Sequence, residues 1–160
     1  MSVAFTREDS AEAAAEVELP HRPVSPHPNL VTASGLAALT AALALSRAAC
    51  ESAQRIEDAG ERRRAAALAA RDVRYFTDRL GTAHLVPPPA DCEAVAFGHR
   101  VTFSRDDGRR QSFRIVGEDE ADPGAGSISY VSPVARALIG KTAGDVVAMG
   151  DREIEVLSIA

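Results

Sequence analysis

Tryptophan is absent from the sequence, and phenylalanine and tyrosine together make up only 4% of its 160 residues. Alanine, in contrast, is abundant. A chain with few bulky side chains and much alanine favours thin, closely packed helices over a large aromatic core. We therefore expect part of this protein to consist of slender helices whose axes lie close together.

Positive charge is also scarce. The chain has 18 lysines and arginines against 23 aspartates and glutamates, which gives a formal net charge of −5. Such a chain has no global basic field that could hold bare nucleic acid. Any role that involves nucleic acid is therefore expected to depend on a protein partner or on a local basic patch.

The sequence contains only two cysteines, Cys50 and Cys92, with neither C-x-x-C spacing nor a histidine close by. This pattern predicts reduced thiols, no metal site and no cofactor. The N-terminus carries acidic residues where a signal peptide needs an apolar run. No window approaches the roughly 18 apolar residues of a membrane span. We therefore expect a cytoplasmic protein with no membrane partner.

The first half of the chain contains a proline-rich tail and a helical region. Residues 1–30 include prolines at positions 20, 23, 26 and 28, which favour a disordered, extended tail. Residues 31–85 show apolar side chains at spacings of three and four, which predict two helices, from about 35 to 55 and from about 61 to 83. A short polar turn between them makes an antiparallel helical hairpin.

The second half changes its periodicity. Residues 86–92 include three consecutive prolines and are interpreted as a stiff linker. Residues 93–160 alternate apolar and polar side chains, which predicts a small antiparallel β domain. The positions expected to point inward are Val101, Phe103, Phe113, Ile115, Val147, Ile154 and Val156. Ser132 and Pro133 can begin one short helix there, and Val134, Leu138 and Ile139 are expected to bury its inner face. The fold class is α+β.

Two short runs have the letters of an ATPase, D-E-A-D at 119–122 and G-K-T at 140–142. A phosphate-binding loop also needs a glycine at position 135, which is alanine here. It must open a helix, whereas Gly140 is predicted to close one, where the dipole repels phosphate. The letters therefore do not indicate nucleotide hydrolysis.

The same stretch closely resembles the C-terminal domain of the Gre-type bacterial transcription elongation (transcript-cleavage) factors. The resemblance covers about residues 93–160 and rests on RIVGEDEAD at 114–122 and SPVARALIGKTAGDVV at 132–147. The preceding helical region is similar to a shortened form of the coiled coil of that family. The resemblance implies an FKBP-like β domain that docks on core RNA polymerase at the rim of its secondary channel, with the coiled coil directed down the channel.

In the transcript-cleavage factors, an acidic tip on the coiled coil helps to hold a metal ion of the polymerase, which itself carries out the hydrolysis. The acidic tip sequence of the family is missing here. Glu57, Asp58 and Glu61 are the nearest substitutes, and they are interleaved with arginines that weaken their field. They are either a relocated metal-binding tip or a solvated turn with local arginine pairing.

The resemblance also implies residues for docking. The acidic loop residues Asp119, Glu120 and Asp122 and the turn at Ser132 and Pro133 are expected near the polymerase contact. The three acids could equally form a solvated loop, and Pro133 also preorganises the first turn of its helix. Any contact with RNA or DNA is expected only within the transcription complex.

Three functions follow from these observations. The first is a polymerase-binding regulator, not itself an enzyme, with little or no stimulation of transcript cleavage. The second is an active cleavage factor that supplies acidic tip residues. The third, a peptidyl-prolyl isomerase, is suggested only by the FKBP-like architecture, and fold alone does not establish function. The few aromatic residues of the second half do not provide the aromatic-lined pocket that isomerase activity needs.

Overall fold

The computed structural model describes residues 19–160, which form two compact units. One unit contains residues 25–41 and 78–160. The other contains residues 42–77 together with the described residues of the segment that ends at Val24. Each unit holds part of two long helices, and the first unit also holds a sheet, so the predicted α+β class is confirmed.

The two long helices are α1, Ala33–Ala53, and α2, Ala59–Gly81, of 21 and 23 residues. Thr32 caps α1 because its Oγ1 accepts a hydrogen bond from the backbone N–H of Gly35 at 2.9 Å. Both helices begin and end two residues earlier than the sequence predicts. Small residues, Ser46, Ala53 and Ala69, are the buried members of the helices in the smaller unit, as alanine-rich packing predicts.

The larger unit contains a five-stranded sheet. After two short strands, β1 Leu30–Val31 and β2 His84–Leu85, the chain forms the strands of this sheet, which are β3 Arg100–Arg105, β4 Arg110–Val116, β5 Ser127–Ser129, β6 Val146–Met149 and β7 Arg152–Ile159. Their order across the sheet is β5-β4-β3-β7-β6. The sheet is mixed, because β4 and β5 pair in parallel, whereas the sequence predicted antiparallel pairing. A crossing loop of ten residues, 117–126, makes this parallel return possible.

The core of this unit lies between the sheet and helix α3, Pro133–Leu138. The strand positions predicted to point inward face this core. The buried members of this core are Val95, Val101, Phe103, Ile115, Ile128, Ala135, Leu138, Ile154 and Val156. The prediction for Ile139 is wrong, since its side chain is 39% exposed. The helix ends at Leu138, and Ala135 instead of Ile139 completes its inner face.

A second, two-stranded sheet pairs β1, Leu30–Val31, in parallel with β2, His84–Leu85. This pair corrects the predicted tail, because residues 19–30 make specific contacts. Asn29 is 5% exposed, and its Nδ2 donates to the backbone carbonyl of Arg79 at 2.6 Å. Prolines prevent a helix here but permit an extended strand at a sheet edge. Residues 1–18 of the predicted tail lie outside the described residues.

Helix α1 corrects the expectation that no segment of the chain is as long and apolar as a membrane span. Its sequence has a mean hydropathy of 1.4 over 18 residues, so it is long and apolar enough to cross a membrane by length and composition. Four leucines and the many alanines of the helix together produce this value. Core helices of soluble proteins pass the same test, so this property does not by itself indicate a membrane partner.

The G-K-T letters lie just after α3, as predicted. Gly140 has a left-handed φ of 82°, which suits the end of a helix. The backbone N–H of Thr142 donates to Asp145 Oδ2 at 2.7 Å, and the Thr142 hydroxyl donates to the same oxygen at 3.1 Å. These bonds lower the pKa of Asp145, the backbone bond most. The segment is therefore a closed turn whose Thr142 donors are already used.

Candidate functional site

The acidic loop that follows β4 begins at Gly117, which lies directly against the backbone of β1. A Cβ atom at this position would be 2.3 Å from the carbonyl oxygen of Leu30. Only glycine permits such a close approach of two backbones. The loop is therefore held against the segment that leads into α1, and its acidic side chains reach the base of the hairpin.

Asp119 forms an ion pair with Arg79, near the end of α2. The Oδ2 atom of Asp119 lies 2.5 Å from Arg79 Nε, and the two side chains are only 16% and 3% exposed. A buried guanidinium is costly unless it is paired and hydrogen-bonded. Asp119 therefore provides the countercharge that allows Arg79 to be buried.

Glu120 binds the start of α1. Its Oε2 accepts a hydrogen bond from Thr32 Oγ1 at 2.5 Å, and its Oε1 accepts one from Ser34 Oγ at 2.6 Å. The same Thr32 hydroxyl oxygen accepts from Gly35 N, so Glu120 and the helix cap form one network. A carboxylate at this end of a helix also interacts favourably with the helix dipole.

Asp122 and Ser132 are local capping residues, and Pro133 is the first residue of α3. Asp122 Oδ1 accepts from the backbone N–H of Gly124 at 3.0 Å and of Ala125 at 3.2 Å, which caps a 3-10 turn at Pro123–Ala125. Ser132 Oγ accepts from Ala135 N at 3.2 Å at the start of α3. Asp122 and Pro133 are nevertheless exposed, so both can also contact a partner.

Tyr130 lies next to this loop and donates its hydroxyl proton to the carbonyl of Pro28. Burial is the main cause that raises its pKa above the ordinary value of 10.0, and the negative charge of Glu118 acts in the same direction. Within the described chain, Glu118 Oε2 is buried and has no hydrogen-bond partner.

The turn between the two long helices carries Glu57 and Asp58, and the first turn of α2 carries Glu61; all three are exposed. Asp58 caps α2, since its Oδ1 accepts from the backbone N–H of Glu61 at 2.7 Å. Arg62 Nη1 donates to the carbonyls of Ile56 at 2.8 Å and Glu57 at 3.2 Å. In the described part of the chain, no group of three or more acidic, histidine or cysteine side chains is placed to hold a metal ion.

The structure therefore brings Asp119 and Glu120 together at the base of the hairpin. Sequence reasoning missed Arg79 and Thr32 as their partners. Forty residues separate Arg79 from Asp119, and 88 separate Thr32 from Glu120. No local spacing rule connects positions so far apart. A charged residue next to a predicted apolar seam was the only available signal for Arg79.

Comparison with known proteins finds relatives of the C-terminal part of the chain. The family described as "Transcription elongation factor, GreA/GreB, C-term" matches residues 90–160. Transcription elongation factor GreB of Neisseria meningitidis serogroup B is 43% identical over 95 residues, which cover 56% of this chain and 58% of the relative. GreA of Thioalkalivibrio sulfidiphilus is 46% identical over 70 residues, which cover 41% and 44% of the two chains.

Among solved structures, GreA factor homolog 1 (Gfh1) of Thermus thermophilus aligns with a TM-score of 0.39 at 23% identity, over 84% of this chain and 99% of that one. The chain spans 58% of the length of the first of these curated relatives and 44% of the length of the second. Residues 90–160 of this chain therefore match the C-terminal domain of the GreA/GreB transcription elongation factors.

Proposed function

We propose that this protein binds core RNA polymerase at the rim of its secondary channel and gives little or no stimulation of transcript cleavage. The sheet domain makes the docking contact, and the hairpin points into the channel. A factor of this kind blocks the channel or competes with true cleavage factors for the same site. The protein itself is not catalytic and needs no cofactor of its own.

The observation that carries the proposal is that the acidic side chains at the hairpin tip either cap a helix or lie beside an arginine. One of the three candidate acids, Asp58, already accepts a backbone hydrogen bond that caps α2. In addition, Arg62 lies beside these acids and donates to a backbone carbonyl of the turn. A carboxylate that accepts a backbone hydrogen bond would have to break it before it could ligate a metal. The guanidinium of Arg62 also repels a metal cation. A tip built in this way is suited to filling a channel without supplying a metal ligand.

The length of the arm supports the same proposal. Helices of 21 and 23 residues are roughly 32 and 35 Å long at ~1.5 Å per residue. The resemblance to the Gre-type factors implies a longer coiled coil in the cleavage factors. A carboxylate must lie within about 2.6 Å of a divalent metal ion to bind it. A shorter arm cannot place its tip at that distance from the same centre.

For the docking contact, we propose that Asp122, Ser132 and Pro133 touch the polymerase. Asp122 and Pro133 are exposed although Asp122 also caps a turn. Asp119 and Glu120 contribute by holding the base of the hairpin through Arg79, Thr32 and Ser34.

The second candidate function, an active cleavage factor, has one observation in its favour. Glu57 and Glu61 are exposed at the tip, and Glu61 offers its side chain at the first turn of α2. Two glutamates could approach a metal ion that the polymerase already holds. The two functions therefore differ in what these glutamates do inside the complex.

Binding is tested by retention of the protein on immobilised core RNA polymerase. We expect the wild-type protein to be retained and Asp122→Asn/Pro133→Ala to be retained less. Asparagine keeps an acceptor for the 3-10 turn, so the fold is preserved. Asp151→Asn, in the exposed turn between β6 and β7, is the matched control and should bind normally. Failure of the wild-type protein to be retained would contradict the proposal.

A further inference from the structure

One face of α2 carries two arginines, of which one has no ion-pair partner and the other has a buried nitrogen with no hydrogen-bond partner in the described part of the chain. Arg64, Leu68, Arg71 and Tyr75 are spaced four, three and four residues apart, so they share one face, called here the Arg64–Tyr75 face. Leu68 is 41% exposed. Arg71 Nε is buried without a hydrogen-bond partner among the described residues, and it lies 3.9 Å from Asp72 Oδ1. Arg64 forms no ion pair within residues 19–160.

The N-terminal part of the described chain is anchored at one end of this face. Arg22 Nη1 forms an ion pair with Asp72 Oδ1 at 3.1 Å. The guanidinium carbon of Arg22 also lies 3.8 Å from the ring centroid of Tyr75 and 5.1 Å from that of Phe76. A cation over two aromatic rings with an additional carboxylate partner is a specific attachment. Arg22, four residues after the end of segment 1–18, is therefore fixed beside Tyr75.

The charges of the two segments are complementary. Residues 1–18 contain five acids, Glu8, Asp9, Glu12, Glu16 and Glu18, against a single basic side chain, Arg7. Residues 62–74 of α2 contain five arginines against a single acid, Asp72. The eleven residue steps from Arg64 to Tyr75 rise about 16 Å along the helix. The ten residue steps from Glu12 to Arg22 can span up to roughly 33 Å, so the acids can reach both arginines.

We propose that residues 1–18 bind the Arg64–Tyr75 face, with Glu12 and Glu16 facing Arg64 and Arg71. A carboxylate at Arg71 supplies the acceptor that its buried Nε lacks, which an unpaired buried donor requires. The alanines at 13–15 cover the exposed side chain of Leu68. The segment thus neutralises the basic face of the arm and has to be displaced before an acidic protein surface or a phosphate can bind there. The contact exists in the free protein and does not depend on the proposed function.

Paramagnetic relaxation in the full-length protein tests this contact. A nitroxide is attached at Ser10→Cys after Cys50→Ala and Cys92→Ala have removed the native thiols. We expect a loss of amide peak intensity for residues 64–75 in NMR spectra, and no loss in the sheet residues 146–159. Raising the salt concentration from about 0.1 to about 1 M shortens the Debye length from ~10 to ~3 Å and should reduce the effect.

Charge variants distinguish ion pairing from chance proximity. Arg64→Glu/Arg71→Glu should abolish the intensity loss, and adding Glu12→Arg/Glu16→Arg should restore it. Arg47→Glu, on the exposed face of α1, is the matched control and should leave the effect unchanged. Normal spectra for the sheet residues show that each variant is folded.

Two results would overturn the proposal. One is an intensity loss at residues 64–75 that does not exceed that in the sheet, or that persists in Arg64→Glu/Arg71→Glu. The other is the same loss in a mixture of spin-labelled protein and separately isotope-labelled protein, because a second copy of the chain would then occupy the face.

Discussion

Arg79 and Asp119 form a nearly buried ion pair, 2.5 Å between Nε and Oδ2, that joins the last turn of α2 to the acidic loop after β4. Arg79 also provides the backbone carbonyl that accepts from Asn29 Nδ2. One helical residue therefore contacts both the loop and the strand-forming segment before α1. An acidic loop that resembles a docking element is, in this chain, also the attachment point of the hairpin base.

The first prediction concerns this ion pair. Asp119→Ala leaves the buried guanidinium of Arg79 without its countercharge and should destabilise the protein by about 3 kcal/mol. Asp122→Ala, which removes only a turn cap three residues away, is the control and should cost about 1 kcal/mol. Urea unfolding measures both. Equal midpoints for the two variants would show that the ion pair adds nothing.

The second prediction concerns Gly35 and Glu120. A Cβ at position 35 would lie 2.6 Å from Glu120 Oε2, so Gly35→Ala must displace the carboxylate from Thr32. We expect Gly35→Ala to destabilise the wild-type protein. In a Glu120→Ala background the same change should stabilise the protein by up to about 1 kcal/mol, because alanine is the better helix former. Thermal unfolding of the four proteins in this cycle measures both signs, and the same sign in both backgrounds would contradict the contact.

The third prediction concerns pH. Burial, and then the charge of Glu118, raises the pKa of Tyr130 above 10.0, so the fold favours the neutral phenol. The stabilisation is therefore complete below the unfolded pKa and is lost as the pH rises through the folded pKa. Ultraviolet titration of the phenolate should show a late component that is missing in Tyr130→Phe. If the variant loses an early component instead, the assigned environment of Tyr130 is wrong.

How much of this could be predicted from sequence depends on the range of each interaction. The ends of α1 were predicted within two residues, because Thr32 supplies a local capping signal. Alternation placed Phe103 and Ile115 in the core, and both are fully buried. Such signals act over a few residues, and the sequence displays them directly.

Interactions between distant positions could not be predicted in the same way. The two-residue strand Leu30–Val31 is too short to show periodicity, and its partner lies more than 50 residues away. The ion pair of Arg79 and Asp119 depends on the parallel return from β4 to β5. The exposure of Ile139 depends on where a six-residue helix stops, and one residue changes which face is buried.

The central claim, binding to the polymerase without supply of a metal ligand, is tested most directly on a backtracked RNA polymerase complex with labelled RNA. Bound wild-type protein should leave the RNA at the length seen without a factor, and should slow the shortening caused by an added active Gre factor. Glu57→Ala/Glu61→Ala should behave like the wild type. Rapid shortening of the RNA by the wild-type protein alone, lost in Glu57→Ala/Glu61→Ala, would contradict the account.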